Sequence, residues 1–276
     1  MPAVVRLVHP FPSALNALLV LGIALLAGGA PPLAIQLSLA MLGIQFCIGT
    51  VNDLQDEDLD AQSKPFKPIP AGRITRRTAW LVAGSSGIGG LLLAALVRPP
   101  DPVPLVMAVA MLACGLAYDV YLKSAGLGWL AYAIAFPILP LFAWYGATGQ
   151  LPPRWEILLP VAILAGPALD VANGLIDLQT DAVGGARTLA VRLGRRRALV
   201  FIVAAQAIIH GLAFVTLPVE VPLIVPMLSG VAGALALGGL VALAQSERVM
   251  REIGWGAQAA SIAVLALSWL VAAASA

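Results

Sequence analysis

LAIQLSLAMLGIQFCIGTVNDLQDEDLD, running from Leu33 to Asp60, decides the architecture. Its first part is a continuous apolar run, and its end is crowded with acids: Asp53, Asp56, Glu57, Asp58 and Asp60. A helix needs about 20 apolar residues to cross a bilayer. This run has that length and then meets charge abruptly. The pattern recurs along the chain. We count nine such stretches, near 13–30, 33–51, 78–97, 102–118, 127–146, 157–176, 198–217, 221–243 and 255–274. Strands of a membrane barrel alternate apolar and polar residues. These stretches do not alternate, so they predict helices. Across the 276 residues, 60% are apolar and 11% charged, and the mean hydropathy is +0.94. A soluble domain is about 25% charged, so a soluble fold is excluded, as is a disordered chain. Cys47 and Cys114 both lie in apolar runs, which implies no disulfide framework. The first stretch lacks the basic start of a cleavable signal peptide. Pro31-Pro32 is expected to supply the turn between the first two spans.

Nine spans place alternate loops on opposite sides. Of the 16 Lys and Arg, only Arg98 and Arg154 fall on the side opposite the N-terminus. The rest lie with Arg6, Lys64, Lys67, Arg73, Arg76, Arg77, Lys123, Arg187, Arg192, Arg195, Arg196, Arg197, Arg248 and Arg251. The positive-inside rule makes that side cytoplasmic. Trp80, Trp129, Trp144, Trp155 and Trp255 fall near span ends and read as an interfacial belt.

If the second span continues as helix past Val51, Asn52, Asp53, Asp56 and Asp60 share one face. Glu57 and Asp58 fall off it. Gln45 extends the polar stripe towards the membrane. A second stripe closes the sixth span, where Asp170, Asn173, Asp177 and Asp181 stand in one line. Asp170 lies inside the apolar run, where a carboxylate costs about 2.5–3.5 kcal/mol on insertion scales. It should face a polar cavity or a partner. Solvated loops that only fix topology would need no helical phase. Two stripes at equivalent span ends therefore suggest one site built from two halves. Facing carboxylates without His or Cys suit Mg²⁺ rather than zinc. The loops that follow carry Lys64 and Lys67, then Arg187 and Arg192. Carboxylates holding metal, metal holding phosphate, and Lys or Arg balancing the rest make a site for a diphosphate leaving group.

At these residues the chain resembles the UbiA superfamily of intramembrane prenyltransferases. That family's first motif, NDxxDxxxD, is matched by Asn52, Asp53, Asp56 and Asp60. A basic, Pro-rich loop follows, here Lys67-Pro68-Ile69-Pro70-Ala71-Gly72, with Lys where the family commonly has Arg. The second motif, DxxxD, is matched by Asp177 and Asp181, with Asp170 seven residues upstream and Gly185 to Leu189 (GARTL) downstream. A Tyr-x4-Lys element is matched by Tyr118 and Lys123. The resemblance implies an all-α integral membrane protein of nine transmembrane helices around a central cavity, with 1–276 as one domain. It implies that Asp53, Asp56, Asp60, Asp177 and Asp181 carry Mg²⁺, with Asp56 and Asp177 central to catalysis. Asn52, Lys64, Lys67, Tyr118, Lys123 and Arg187 would bind the diphosphate, and Asp170 would orient or deprotonate the acceptor.

The expected activity is Mg²⁺-dependent transfer of a prenyl group from a prenyl diphosphate to an aromatic or lipid acceptor. The same site in a terpene cyclase is the alternative, as is use of phosphoribosyl diphosphate with a polyprenyl phosphate. A transporter is the alternative from another class. No nucleic-acid partner is expected. The expected location is a prokaryotic plasma membrane, with motifs and N-terminus on the cytoplasmic side.

Other residues carry plainer readings. Tyr118 alone would read as an interfacial aromatic, and Asp119 as a solvated cap. Arg195-Arg196-Arg197 reads as a topology anchor. His9 either touches the acceptor or sits at the interface, and His210 reads as a hydrogen-bonded structural histidine. Asn16 and Gln45 are candidates to line the cavity. Gly87, Gly89 and Gly90, like Gly238 and Gly239, read as close-packing sites.

Overall fold

A computed structural model describes residues 2–275. Among them there is no strand. The helices are α1 (Ala3–Leu7), α2 (Pro10–Leu26), α3 (Pro31–Gln55), α4 (Glu57–Ser63), α5 (Arg76–Ala95), α6 (Val103–Ala117), α7 (Lys123–Ala125), α8 (Gly128–Thr148), α9 (Trp155–Gly174), α10 (Leu178–Val183), α11 (Leu189–Val215), α12 (Ile224–Leu243) and α13 (Arg248–Ser275). A π-helical turn, Tyr118–Leu122, joins α6 to α7. Each of the nine expected spans corresponds to an apolar helix. Eight are long and apolar enough to cross a membrane. The ninth, α2, is shorter at 17 residues.

Local chemistry sets the ends. Pro31-Pro32 does not make the first turn, as expected from sequence, but opens α3. Proline has no amide to lose at the first helical position and its φ is already helical. The turn comes earlier, where Gly28 takes a left-handed φ of 84°. Thr75 caps α5 by accepting from the Thr78 amide at 3.1 Å. Thr188 caps α11 through Val191 at 3.3 Å. Within α11, Gly194 leaves helical geometry (φ 69°) and splits a short leading segment from the apolar span. Arg195 follows at once and donates to the carbonyls of Ala244 and Gln245, just past α12. Arg195 therefore caps a helix end as well as carrying charge.

The chain divides into two compact units. One holds the residues up to Tyr121 together with Ile138–Gln150. In it α3 packs chiefly on α5 and α2. The other holds Leu122–Pro137 and everything from Leu151 onward. There α12 packs on α13, and α9 on α11. The boundary runs through α8.

Glycines decide two of these contacts. A Cβ on Gly90 would lie 2.8 Å from the Ala40 carbonyl oxygen and 3.0 Å from the Ile44 nitrogen, so α5 and α3 meet backbone to backbone. Gly239 and Gly254 do the same for α12 and α13. Gly89 and Gly238, expected to pack, meet nothing within 4 Å. They lie on helix flanks that present apolar side chains outward, such as Ile88 and Leu92 on α5 and Leu237 and Val241 on α12. Of the Trp residues read as a belt, Trp80 and Trp155 are exposed, but Trp144 is buried among its neighbours and belongs to the core.

Gly90→Ala should destabilise the protein by about 1–3 kcal/mol through overpacking, although alanine is the better helix former. Gly89→Ala should be neutral or mildly stabilising. Thermal unfolding of both variants in detergent checks the contrast; equal midpoints would refute the close contact.

Candidate active site

The first motif lies in the first unit, and three layers place it. The apolar body of α3 carries it to the helix end. There α3 stops at Gln55, and Asp56 (φ −87°, ψ 4°) turns the chain into α4. The continuous helix assumed from sequence is therefore broken at the third motif residue. The face survives the break: Asp53 and Asp60 are both buried, each 2% exposed, and Asp56 is half-buried. Glu57 turns away and pairs with Arg76, and Asp58 is exposed, as the phase predicts.

The loop after α4 then folds back. The Pro68 carbonyl accepts from the amides of Arg73 and Ile74 at 3.0 and 3.2 Å. Gly72 permits this with a φ of 67°. Ile69 and Ile74 plug into an apolar cluster with Leu7, Leu54 and Ala79. That anchoring delivers Lys67 to the acids. Its Nζ donates to Asp53 Oδ1 at 2.8 Å and to Asp60 Oδ2 at 2.5 Å. Burial pulls the Lys67 ammonium down, but Asp53 and Asp60, through charge and hydrogen bonds, outweigh it and hold the pKa above the ordinary lysine value. Lys67 is thus a firmly protonated cation between two carboxylates. Lys64 Nζ stands 3.8 Å from Asp60 Oδ1.

Two residues join this group that sequence reading did not assign to it. His9 donates from Nε2 to Asp53 Oδ1 at 2.9 Å. It precedes α2 in a left-handed conformation (φ 50°), and its ring lies 3.3 Å from where a Cβ on Gly49 would be. Asn52 Nδ2 donates to Asp119 Oδ1 at 2.9 Å. Asp119 is 9% exposed, so it is no solvated cap. The π-helical turn aims it inward, and such turns are frequent at functional sites. The available signal was Asn52 itself, a polar amide at a helix end that needs an acceptor. Tyr118 begins the same turn.

The second motif lies in the second unit and repeats the device. Here α9 ends at Gly174, Leu175 and Ile176 turn, and Asp177 (φ −109°, ψ 16°) stands at the residue before α10. The single line predicted for Asp170, Asn173, Asp177 and Asp181 is therefore also broken. Asp170 is 7% exposed within α9. Asn173, Asp177 and Asp181 are half-buried. Val171, Ala172 and Leu175 pin the helix end against Ala190, Ala198 and Ile202 of α11. Arg248 Nη2 lies 3.2 Å from Asp177 Oδ1. Gly126, with φ 74°, closes α7, and a Cβ there would collide with the Arg187 carbonyl. The glycine thus lets the segment of Lys123 approach that of Arg187. His210 donates from Nδ1 to the Gln206 carbonyl at 3.0 Å, the structural role expected for it.

Among the described residues no three of His, Cys, Asp and Glu gather as a ready metal cluster. The donor set nevertheless fits Mg²⁺. The Asp53–Asp60 pair already surrounds one cation, the Lys67 ammonium, with carboxylate oxygen alone. Mg²⁺ commonly takes one or two carboxylates and completes its shell with water and substrate phosphate.

A helical membrane protein whose span ends gather acids, each cluster answered by Lys or Arg, is of the class that handles a charged headgroup at the edge of an apolar interior. The chain belongs to the UbiA prenyltransferase family, whose model matches residues 15–252. It is 27% identical over 206 residues to a digeranylgeranylglyceryl phosphate synthase of Korarchaeum cryptofilum, covering 68% of this chain and 69% of that one. It is 27% identical over 263 residues to a Methanopyrus kandleri protein of the same name, covering 91% and 94%. Its fold is similar to that of a UbiA homolog from Archaeoglobus fulgidus solved with DMAPP and Mg²⁺. The TM-score is 0.71 at 18% identity, over 95% of this chain and 99% of that one.

Lys67→Met should leave Asp53 and Asp60 facing each other without the cation that bridges them. Removing one partner of a buried pair costs about 3–5 kcal/mol, so the thermal midpoint in the absence of divalent metal should fall. Added Mg²⁺ should recover part of the loss. A variant that Mg²⁺ cannot rescue would show that the two carboxylates are not a metal site. His9→Ala should weaken the same rescue without abolishing it.

Proposed function

We propose that this chain transfers a prenyl group from a prenyl diphosphate to a lipid acceptor, with both acidic motifs serving one Mg²⁺-dependent reaction. The observation that carries this is the Lys67 ammonium held by Asp53 and Asp60 at the end of an apolar helix. It is a cation site placed where a long apolar chain can lie in the membrane while its diphosphate meets the acids. Asp53, Asp56, Asp60, Asp177 and Asp181 would hold Mg²⁺, and Asn52 is kept in register by Asp119. Bound there, Mg²⁺ would supply charge neutralisation for the departing diphosphate.

The chain's own residues do the rest. Lys64, Lys67, Tyr118, Lys123 and Arg187 bind diphosphate oxygens. The carbon–oxygen bond of the donor breaks, and diphosphate leaves with the electron pair. The acceptor attacks the allylic carbon, and its proton passes to Asp170, whose burial in α9 keeps it from bulk water. Apolar helix walls exclude the water that would otherwise trap the cation. The relatives named digeranylgeranylglyceryl phosphate synthase favour an acceptor that is a prenylated glyceryl phosphate over an aromatic one. The one-sided distribution of Lys and Arg favours a prokaryotic plasma membrane with both motifs cytoplasmic. The functional unit is the whole chain, 1–276.

The test is purified protein with Mg²⁺ and prenyl diphosphates of several lengths, with and without a glyceryl phosphate lipid. Product is expected only with the acceptor; product from the diphosphate alone would indicate a cyclase instead. Asp56→Ala and Asp177→Ala should each cut turnover by about a hundredfold or more. Asp170→Asn should lower kcat by about 10²–10⁴-fold as a lost general base, while leaving diphosphate affinity unchanged. Loss of both together would move Asp170 into the metal site.

A further inference from the structure

The sequence counts Arg248 and Arg251 only among the cations that orient the chain. The structure gives them separate tasks at the second motif. Arg251 is an anchor. Its Nε and Nη2 donate to the Ile176 carbonyl at 3.2 and 3.0 Å, and its Nη1 donates to the Ser246 carbonyl at 2.5 Å. It therefore clamps the start of α13 to the backbone of the break between α9 and α10. That clamp uses carbonyl oxygens and does not depend on the charge of Asp177. Arg248, at the first residue of α13, reaches the side chain instead. Its Nη2 lies 3.2 Å from Asp177 Oδ1, and its Nε donates to Glu252 Oε1 at 2.9 Å.

We propose that Arg248 is a further substrate-binding residue. It holds Asp177 when no metal is bound, and it turns to the diphosphate once Mg²⁺ takes Asp177. This rests on the reading of Asp177 as a Mg²⁺ ligand. The pair is built for exchange. Both side chains are partly exposed, at 39% and 23%, so the ion pair is weak and a divalent cation displaces it. Arg251 keeps α13 docked, so a released Arg248 stays within side-chain reach of whatever Asp177 binds. A guanidinium there presents paired N–H donors to phosphate oxygens, a geometry that Lys lacks. The arrangement parallels Lys67 in the first unit, a cation that accompanies motif acids and is itself suited to phosphate.

The experiment is calorimetric titration of the full chain in detergent, first with Mg²⁺ alone and then with inorganic diphosphate at saturating Mg²⁺. Arg248→Gln is compared with Arg196→Gln, which removes the same charge from an exposed site. Arg248→Gln should bind Mg²⁺ about threefold tighter than either wild type or Arg196→Gln, because a competitor is gone. It should bind inorganic diphosphate about tenfold weaker, because a charge-assisted donor is gone. Equal Mg²⁺ affinity in the two variants, or unchanged diphosphate affinity, would overturn the proposal. A fall in thermal midpoint with both affinities intact would make Arg248 a staple only, which also overturns it. Should Arg248→Gln fail to fold, Arg248→Lys keeps the charge and loses the fork. It should then show weaker diphosphate binding at unchanged Mg²⁺ affinity, and equal diphosphate binding refutes the role. If wild-type protein binds no Mg²⁺, the reading of Asp177 as a ligand falls first, and this proposal with it.

Discussion

Charge buried at the end of an apolar helix has to be answered by opposite charge, and that constraint shapes the rest of this protein. Asp53 and Asp60 are almost wholly enclosed. Left alone, two such carboxylates would repel and would each carry a heavy desolvation cost. Lys67 answers them with charge and His9 adds a hydrogen bond, and both arrive from other elements. The turn-rich loop, its Gly72, the buried Ile69 and Ile74, and the short α1 with Leu7 all hold these two groups in place. At the second motif the cations are arginines and the carboxylate is more exposed, so the hold is looser.

Helix breaks are as much part of the design as the helices. An unbroken α-helix carrying Asp53, Asp56 and Asp60 would hold their side chains in a rising file along one stripe. The turn at Asp56 and the one at Leu175–Asp177 interrupt that helix within each motif. Small residues make the long helices rigid enough to position these ends. Gly43 and Gly90 let α3 and α5 share a backbone contact, and Gly239 and Gly254 do so for α12 and α13.

Much of this was legible in the sequence, for reasons that are local. Apolar runs of bilayer length give the eight long helices and the shorter α2. A 3.6-residue period gives the acidic face and correctly expels Glu57 and Asp58. What sequence hid is long-range. His9 and Asp53 are 44 residues apart and Asn52 and Asp119 are 67 apart, and no periodicity joins them. Asp119 was misread because Val120 and Tyr121 beside it are exposed and carry no polar stripe. Trp144 was misread because closeness to a span end does not say which way a ring faces. Gly89 and Gly238 were misread because a glycine run spans more of the helix circumference than a single contact can use. Pro31-Pro32 was misread because a proline pair marks a helix start as well as a turn.

The His9 contact also has a history in time. The ribosome adds about 5–20 residues per second. His9 and Leu7 therefore emerge seconds before the loop of Lys67, Ile69 and Ile74 that completes their surroundings. Asp53 and Leu54 reach them first, and the loop adds its lysine and two isoleucines last. The first acidic motif cannot close during early insertion. Its assembly waits for the last of its parts to be made, the loop that carries Lys67.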